Sequence, residues 1–516
     1  MAAPAALPAT AVMEMRTTGG ADHGGIFDSA NPGGVGVDYS NQDDPVVSRT
    51  NFTCTTGGTT LVTATAATFT AAMVNNWIYL SGTHFTTGRR KIVTVIDQYS
   101  VTLCSDPTDG TNGTAGTGNV GGAIYEVNGT NLAALGLVIQ AGNKIWIKGT
   151  TADNTTQATY SLTTGNWTAG TTGTAALPVS IEGYGVTRGD RPTGTSGASA
   201  RPIIDQAARQ WGRHHYWNLS YLYMKGTVDL GNTSADPSYS YFRNCRFEGN
   251  STTTARTFSI HATGDRSISC EFTSFAGTGV NTSISTAFVA CWFHDGLAGG
   301  GIASSYDVIF LSCLFEALTI GVSMSTGKTN RVLNCTFMGC GTGILWTGAS
   351  DSHLIANDVC AYCTTGISSS GGTNYLNTML ATNNFYGNGA DVTNVTKSTQ
   401  DTAYDPAFQG LRSWTDLVVS HIDNKVLTSA TGGLSTYYQV GDYMWIDAHD
   451  GWTSDAYRIT AVSAGGCTLA ASPAAVDSTG GIARTCRISV GVSDVRLGTA
   501  SSCRGAGLAL TLGVGS

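Results

Sequence analysis

One short phrase returns at a nearly fixed interval between residues 244 and 385. It reads Asn244-Cys245-Arg246-Phe247, Ser269-Cys270-Glu271-Phe272, Ala290-Cys291-Trp292-Phe293, Ser312-Cys313-Leu314-Phe315 and Asn334-Cys335-Thr336-Phe337. Weaker copies follow at Asp358-Val359-Cys360-Ala361-Tyr362 and Asn383-Asn384-Phe385. The aromatic positions 247, 272, 293, 315, 337, 362 and 385 lie 25, 21, 22, 22, 25 and 23 residues apart. A second phrase, a glycine before Val or Ile, keeps step at Gly279, Gly301, Gly321, Gly343 and Gly366. Two independent phrases with one period mean stacked structural repeats.

Cys and Phe stand two apart, so on a strand they share a face, and residues this often buried point inward. The expected core ladder is therefore Cys245, Cys270, Cys291, Cys313 and Cys335 with Phe247, Phe272, Phe293, Phe315 and Phe337. A repeat of about 22 residues is too short for helix pairs, no 3.6-residue apolar period runs through it, and the spaced leucines of leucine-rich repeats are missing. What remains is a coil of short strands and tight turns, each coil laid on the last at the ~4.8 Å strand spacing. The segment resembles a right-handed parallel β-helix of the pectate-lyase-like type. Ile145-Trp146-Ile147-Lys148-Gly149, Pro178 to Tyr184 and Arg201 to Asp205 resemble the first coils of that fold.

The chain reads as all-β in six parts. Residues 1–50 form an extended N-terminal arm that orders against something else, 51–130 a small β module, and 140–395 the β-helix. A linker follows at 396–414, then a second copy of the module at 415–485 and a C-terminal β tail at 486–516. The duplication is direct: Trp77-Ile78-Tyr79-Leu80 matches Tyr443-Met444-Trp445-Ile446, and Val101-Thr102-Leu103 matches Cys467-Thr468-Leu469. Both copies suggest a small barrel or sandwich. The stretch from Met15 to Asp28, with Gly19-Gly20 and Gly24-Gly25, resembles the opening of β-rich virion proteins of bacteriophages.

Charged residues make up only 12%, while 66 glycines and 41% hydrophobic residues suit an all-β protein with many turns. A net charge of −8 argues against nucleic acid as partner. No stretch approaches the ~20 apolar residues of a membrane span, and the start lacks the basic and apolar regions of a signal peptide. The cysteines number 13, most of them in the repeat. Stacked side chains lie ~4.8 Å apart, beyond the ~3.8 Å Cβ separation of a disulfide, so the ladder reads as reduced and space-filling. Such a ladder suits assembly in a reducing host cytoplasm.

The residue after each core aromatic points outward, giving a column of Glu248, Thr273, His294, Glu316, Met338, Cys363 and Tyr386. Its plain reading is a solvated flank. If the chain is an enzyme, Glu248, His294, Asp295 and Glu316 are the catalytic candidates, because a carboxylate–imidazole–carboxylate group can do general acid–base work on a polysaccharide. Glu248 and Glu316 are three coils apart, about 14 Å, too far for a glycosidase pair at roughly 5–9.5 Å. The sugar-cleaving members of this fold cluster their aspartates, whereas the acids between 244 and 390 are scattered, which argues against catalysis. Cys335, Cys340, Cys360 and Cys363 have a spacing that could hold zinc, but the repeat explains them as two ladders, with Cys335 continued by Cys360 and Cys340 by Cys363. No metal is expected. No strand–Gly-loop–helix signal for nucleotides exists, so no cofactor is expected either. Trp211, Tyr216, Trp217, Trp292 and Trp346 could stack on sugar rings, with Trp292 the best placed, and His214-His215 could hold a polar ligand.

The expected function is a non-enzymatic phage virion protein, a capsid decoration (cement) protein or tail component. It would assemble as a homotrimer, with other virion proteins as its partners. The alternatives are a tailspike-like polysaccharide depolymerase or lyase, and an adhesin that binds surface glycans without cleaving them.

Overall fold

The computed structural model describes most of residues 12–485; 127–138, 163–172, 207–214, 227–238, 250–257, 371–378, 404–412, 486–516 and shorter gaps lie outside the description. The chain divides into two compact units, Met1–Gly226 with Ser238–Cys245, and Thr227–Pro237 with Arg246–Ser516.

The second unit carries the clear repeats. Each coil contributes three short parallel strands. The first sheet is built from Arg266–Ile268, Ala287–Val289, Ile309–Leu311, Arg331–Leu333, Leu354–Ala356 and Met379–Ala381. The second runs from Arg246–Glu248 through Glu271–Thr273, Trp292–His294, Leu314–Glu316, Thr336–Met338 and Val359–Ala361 to Asn384–Tyr386. The third runs from Phe258–Ile260 to Ala390–Thr393. The chain is thus a parallel β-helix.

Its corners are single residues in the left-handed region. Between the first and second sheets these are Ser269, Ala290, Ser312, Asn334, Asn357 and Thr382, with φ between 52° and 59°. Between the second and third they are Ser274, Asp295, Ala317, Gly339, Tyr362 and Gly387, with φ between 53° and 63°. A left-handed residue turns the strand sharply without a loop, at a steric cost that only Gly, and to a lesser degree Asn, escapes. Each Cys of the phrase follows such a corner, and the strand proper begins one residue later.

Phe247, Phe272, Phe293, Phe315 and Phe337 are buried and stack with successive centroids 5.0, 4.6, 4.9 and 4.6 Å apart. Phe288 and Phe310 form a second stack that meets the first edge-on. The second phrase also has its reason. A Cβ on Gly321, Gly343 or Gly366 would lie 2.5, 2.6 or 2.6 Å from a carbonyl oxygen of the next coil. Only glycine permits that approach.

The repeat shifts frame at its end, which corrects two expectations. Cys360, not Tyr362, lies in register with Phe337 and Phe385 and fills the aromatic column. The place below Cys335 is taken by Asp358, whose carboxylate accepts from the Cys335 backbone N–H at 2.6 Å. Asp358 N–H donates in turn to Asn383 Oδ1 at 3.0 Å. Cys335 and Cys360 therefore belong to different columns, whereas Cys363 does follow Cys340, and its backbone N–H donates to Asn388 Oδ1 at 2.9 Å. In the last coils side-chain oxygens of Asp358, Asn383 and Asn388 accept from backbone N–H groups where thiols stood before. Part of the expected linker joins this finish: Phe385 N–H donates to Thr402 O, and Asn383 N–H to Asp401 Oδ1, both at 2.8 Å.

None of the eleven described cysteines is bridged, and all but Cys104 are buried. Cys291 and Cys313 Sγ donate to the carbonyls of Ser267 and Phe288 at 3.3 and 3.4 Å. Burial pushes the thiols of Cys291, Cys335, Cys340 and Cys360 well up, so they stay neutral.

In the first unit a parallel sheet runs in the order Tyr241–Arg243, Trp217–Ser220, Val179–Tyr184, Lys144–Lys148, Val12–Arg16 and Tyr125–Glu126. Thr159–Ser161, Ile203–Asp205 and Tyr223–Lys225 make a second. Within the arm, Val12–Arg16 pairs with two strands of its own chain. Met13 and Met15 enter the core, and Glu14, fully buried, is held by Arg16, Arg188 and the Tyr184 hydroxyl. Two guanidiniums offset the desolvation of that carboxylate.

Each unit also holds one closed six-strand barrel. Val47–Cys54, Thr60–Thr63, Ser100–Leu103, Gly88–Asp97, Trp77–Thr83 and Gly113–Val120 close the first in that order. Ser413–Val419, Val426–Ser429, Gly466–Leu469, Asp455–Ser463, Tyr443–Asp447 and Ser478–Thr485 close the second in the same order. Equivalent positions fill both cores: Ile78 and Met444, Leu80 and Ile446, Ile92 and Ile459, Val101 and Cys467, Phe85 and Trp452. The only helices described are the one-turn segments Ala71–Met73 and Leu434–Tyr437. The C-terminal tail at 486–516 lies outside the described residues.

Candidate functional site

The outward positions of the second sheet form two rows in register. Arg246, Glu271 and Trp292 follow one another in the first, and Glu248, Thr273, His294, Glu316 and Met338 in the second. The solvated flank expected for the second row is not what the fold builds. Thr273 and Glu316 are 1% exposed, His294 is 7% and Met338 is 0%, so the row is covered. Ala361, not Cys363, continues it.

Acids scattered in the sequence meet around His294. Its Nδ1 lies 2.8 Å from Asp295 Oδ2 and its Nε2 3.2 Å from Glu271 Oε1. Asp295 is placed there by its left-handed corner, φ 57°. Glu271 reaches across from the preceding coil and also faces Arg246 at 3.4 Å, while Arg246 holds Glu248 at 3.1 Å. Thr273 Oγ1 donates to Asp295 Oδ2 at 3.4 Å. Burial pulls the imidazole down, but the hydrogen bonds and charges of Asp295 and Glu271 outweigh it and hold His294 up to about 9. At neutral pH it is an imidazolium between two carboxylates.

Glu316 is the register partner of His294, yet its hydrogen bond goes elsewhere. Trp292 Nε1–H donates to Glu316 Oε2 at 3.1 Å, and the Trp292 ring stacks on the His294 ring at 3.8 Å. One face of the indole is thereby taken by the imidazolium. Of the catalytic candidates, then, His294 and Asp295 are brought together, Glu316 is turned to the indole, and Glu248 is paired with Arg246.

Glu271 and Arg246 are outward positions that sequence reasoning did not count among the site candidates. The signal was present: each stands two residues before a second-row position on its own strand, and residues two apart share a face. What the spacing did not show was how far each side chain reaches into the next coil.

Trp217 and Trp346 are buried and offer no ring to a ligand, while Trp211 and His214 lie outside the described residues. Cys335, Cys340, Cys360 and Cys363 occupy three columns, and among the described residues no group of three or more His, Cys, Asp or Glu side chains could hold a metal ion.

The family described as NosD, periplasmic copper-binding protein, matches residues 242–431, less than half of the chain. No curated relative matches. Among solved structures, a rhamnogalacturonan lyase is 13% identical, with 56% of this chain and 87% of that one covered at a TM-score of 0.32. Pectate lyase Pel9A is 12% identical, with 56% and 78% covered at a TM-score of 0.31. The tailspike gp61 of Pseudomonas phage phi297 is 10% identical, with 86% and 80% covered at a TM-score of 0.20. These structures are two polysaccharide lyases and a phage tailspike by name, and this chain resembles each of them only at this distance.

Proposed function

We propose that the chain is a non-enzymatic structural protein of a bacteriophage particle, a capsid decoration protein or tail component that assembles as a homotrimer in the host cytoplasm. The observation that carries this reading is the closure of the His294 network. Both ring nitrogens face carboxylates, one ring face is covered by Trp292, and the group is almost fully buried. A general acid or base must reach the proton it moves within about 2.6–3.2 Å or through one water. His294 spends that reach on its own chain. The same contacts tie adjacent coils together. The N-terminal resemblance to phage virion proteins supplies the setting.

A polysaccharide depolymerase is the second reading, favoured by the convergence of Glu271, Asp295 and Glu316 on one flank. Two measurements separate them. Mass spectrometry of purified particles should find this chain at stoichiometric abundance. Incubation with host capsular or cell-wall polysaccharide should release no reducing or unsaturated ends. Release that His294→Ala abolishes would establish the enzyme instead.

A further inference from the structure

In the first unit the outer face of the six-strand sheet differs from the closed flank around His294. Trp146 and Tyr241 stand half-exposed on the fourth and first strands; one row runs Lys144, Ser180, Asn218, Tyr241 and the next Trp146, Glu182, Ser220, Arg243. The positions alternate with the buried Ile145, Ile181, Leu219 and Phe242, so the pleat fixes their direction.

Beside this face two further rings are held at a steric cost. Tyr216 and Tyr239 each lead into a strand, with φ of 56° and 45°. The equivalent left-handed positions in the second unit are Gly264, Ser285 and Asp307, residues small enough to bear that conformation. A tyrosine gains nothing from the backbone there. Nor does it fill the core, since Tyr239 is 39% exposed. Instead the two rings stack on each other, centroids 5.3 Å apart and planes 19° from parallel. Strain kept for a surface ring stack rather than for core packing points to a function.

The charges on the face complete the pattern. Lys144 Nζ lies 3.8 Å from the Trp146 ring centroid and 3.3 Å from Glu182, so its charge is balanced. The Arg243 guanidinium sits 6.0 Å from the Tyr241 centroid, exposed, and no carboxylate among the described residues pairs with it. One uncompensated cation on a half-aromatic, hydroxyl- and amide-bearing face is the complement of a sugar polymer that carries negative charge.

We propose that this face binds an acidic polysaccharide. Sugar rings lie on the Tyr216–Tyr239 stack and on Tyr241, their hydroxyls meet Ser180, Asn218 and Ser220, and an anionic group pairs with Arg243. The site is independent of the particle role and of the His294 network.

The test is electrophoresis of the full-length protein through native gels cast with alginate, polygalacturonate or neutral dextran. The expected result is retardation by an acidic polymer and none by dextran. Replacing both tyrosines (Tyr216→Gly, Tyr239→Gly) should weaken retardation at least about tenfold while leaving the melting temperature unchanged or raised, because glycine relieves the backbone. Arg243→Gln should erase the preference for acidic over neutral polymer. The proposal falls if the wild-type protein is retarded by neither acidic polymer, or if the glycine variant binds as well as wild type. It falls too if the glycine variant melts several degrees lower, since the tyrosines would then be packing elements.

Discussion

Raising the pH strips from His294 the proton that it holds between Glu271 and Asp295. The folded chain keeps that proton up to about 9, against an ordinary value of 6.5. A group whose value is raised on folding stabilises the fold fully below its unfolded value and loses that contribution as pH rises through the folded one. The window is therefore about 6.5 to 9. At 1.36 kcal/mol per unit the whole contribution is about 3 kcal/mol, an upper figure because Glu271 and Asp295 keep some contact with solvent. At about 2.1 cal/mol/K per residue, a unit of this size would shift by roughly 5 °C in melting temperature. Melting followed by circular dichroism at several pH values, in wild type and His294→Gln, isolates the effect from other titrating groups. The variant should melt below wild type at pH 6.5, and the gap should close toward pH 9.5. A gap that does not change with pH would refute the paired-imidazolium account, and with it the reason for reading this flank as closed.

Four further outcomes are expected. Phe293→Ala, which removes a ring stacked on both sides, should cost about 3–5 kcal/mol in denaturant unfolding, more than the same change at Phe247, the first ring of the stack. Asp358 is fully buried and burial pushes its carboxyl well up, so ionising it opposes folding; Asp358→Asn should raise the melting temperature at pH 7 and have a smaller effect near pH 4. Ala290 is exposed in the left-handed region at φ 52°, and Ala290→Gly should stabilise by up to about 1 kcal/mol in equilibrium unfolding. Brief thiol alkylation of the native protein, read by peptide mass spectrometry, should label Cys104 and spare Cys270, Cys291, Cys313 and Cys335 until the chain is unfolded.

The local sequence determined a great deal about this protein. The Cys-x-Phe period specified stacked coils, a buried aromatic column and a reduced thiol ladder, because burial and strand alternation act on residues close in the chain. The Gly-Val/Ile phrase marked where coils approach, and the matched segments around Trp77 and Tyr443 announced two copies of one small β module, barrel or sandwich. Tertiary structure decided the rest. It moved Cys360 into the ring column and put Asp358 below Cys335, since register is set by hydrogen bonds between coils rather than by the nearest similar letter. It took Val12–Arg16 into the sheet, because Glu14 finds its guanidinium Arg188 about 170 residues away along the chain. It also closed the flank around His294. Whether a carboxylate faces water or an imidazolium depends on side-chain reach between coils, and no spacing along one strand records that distance.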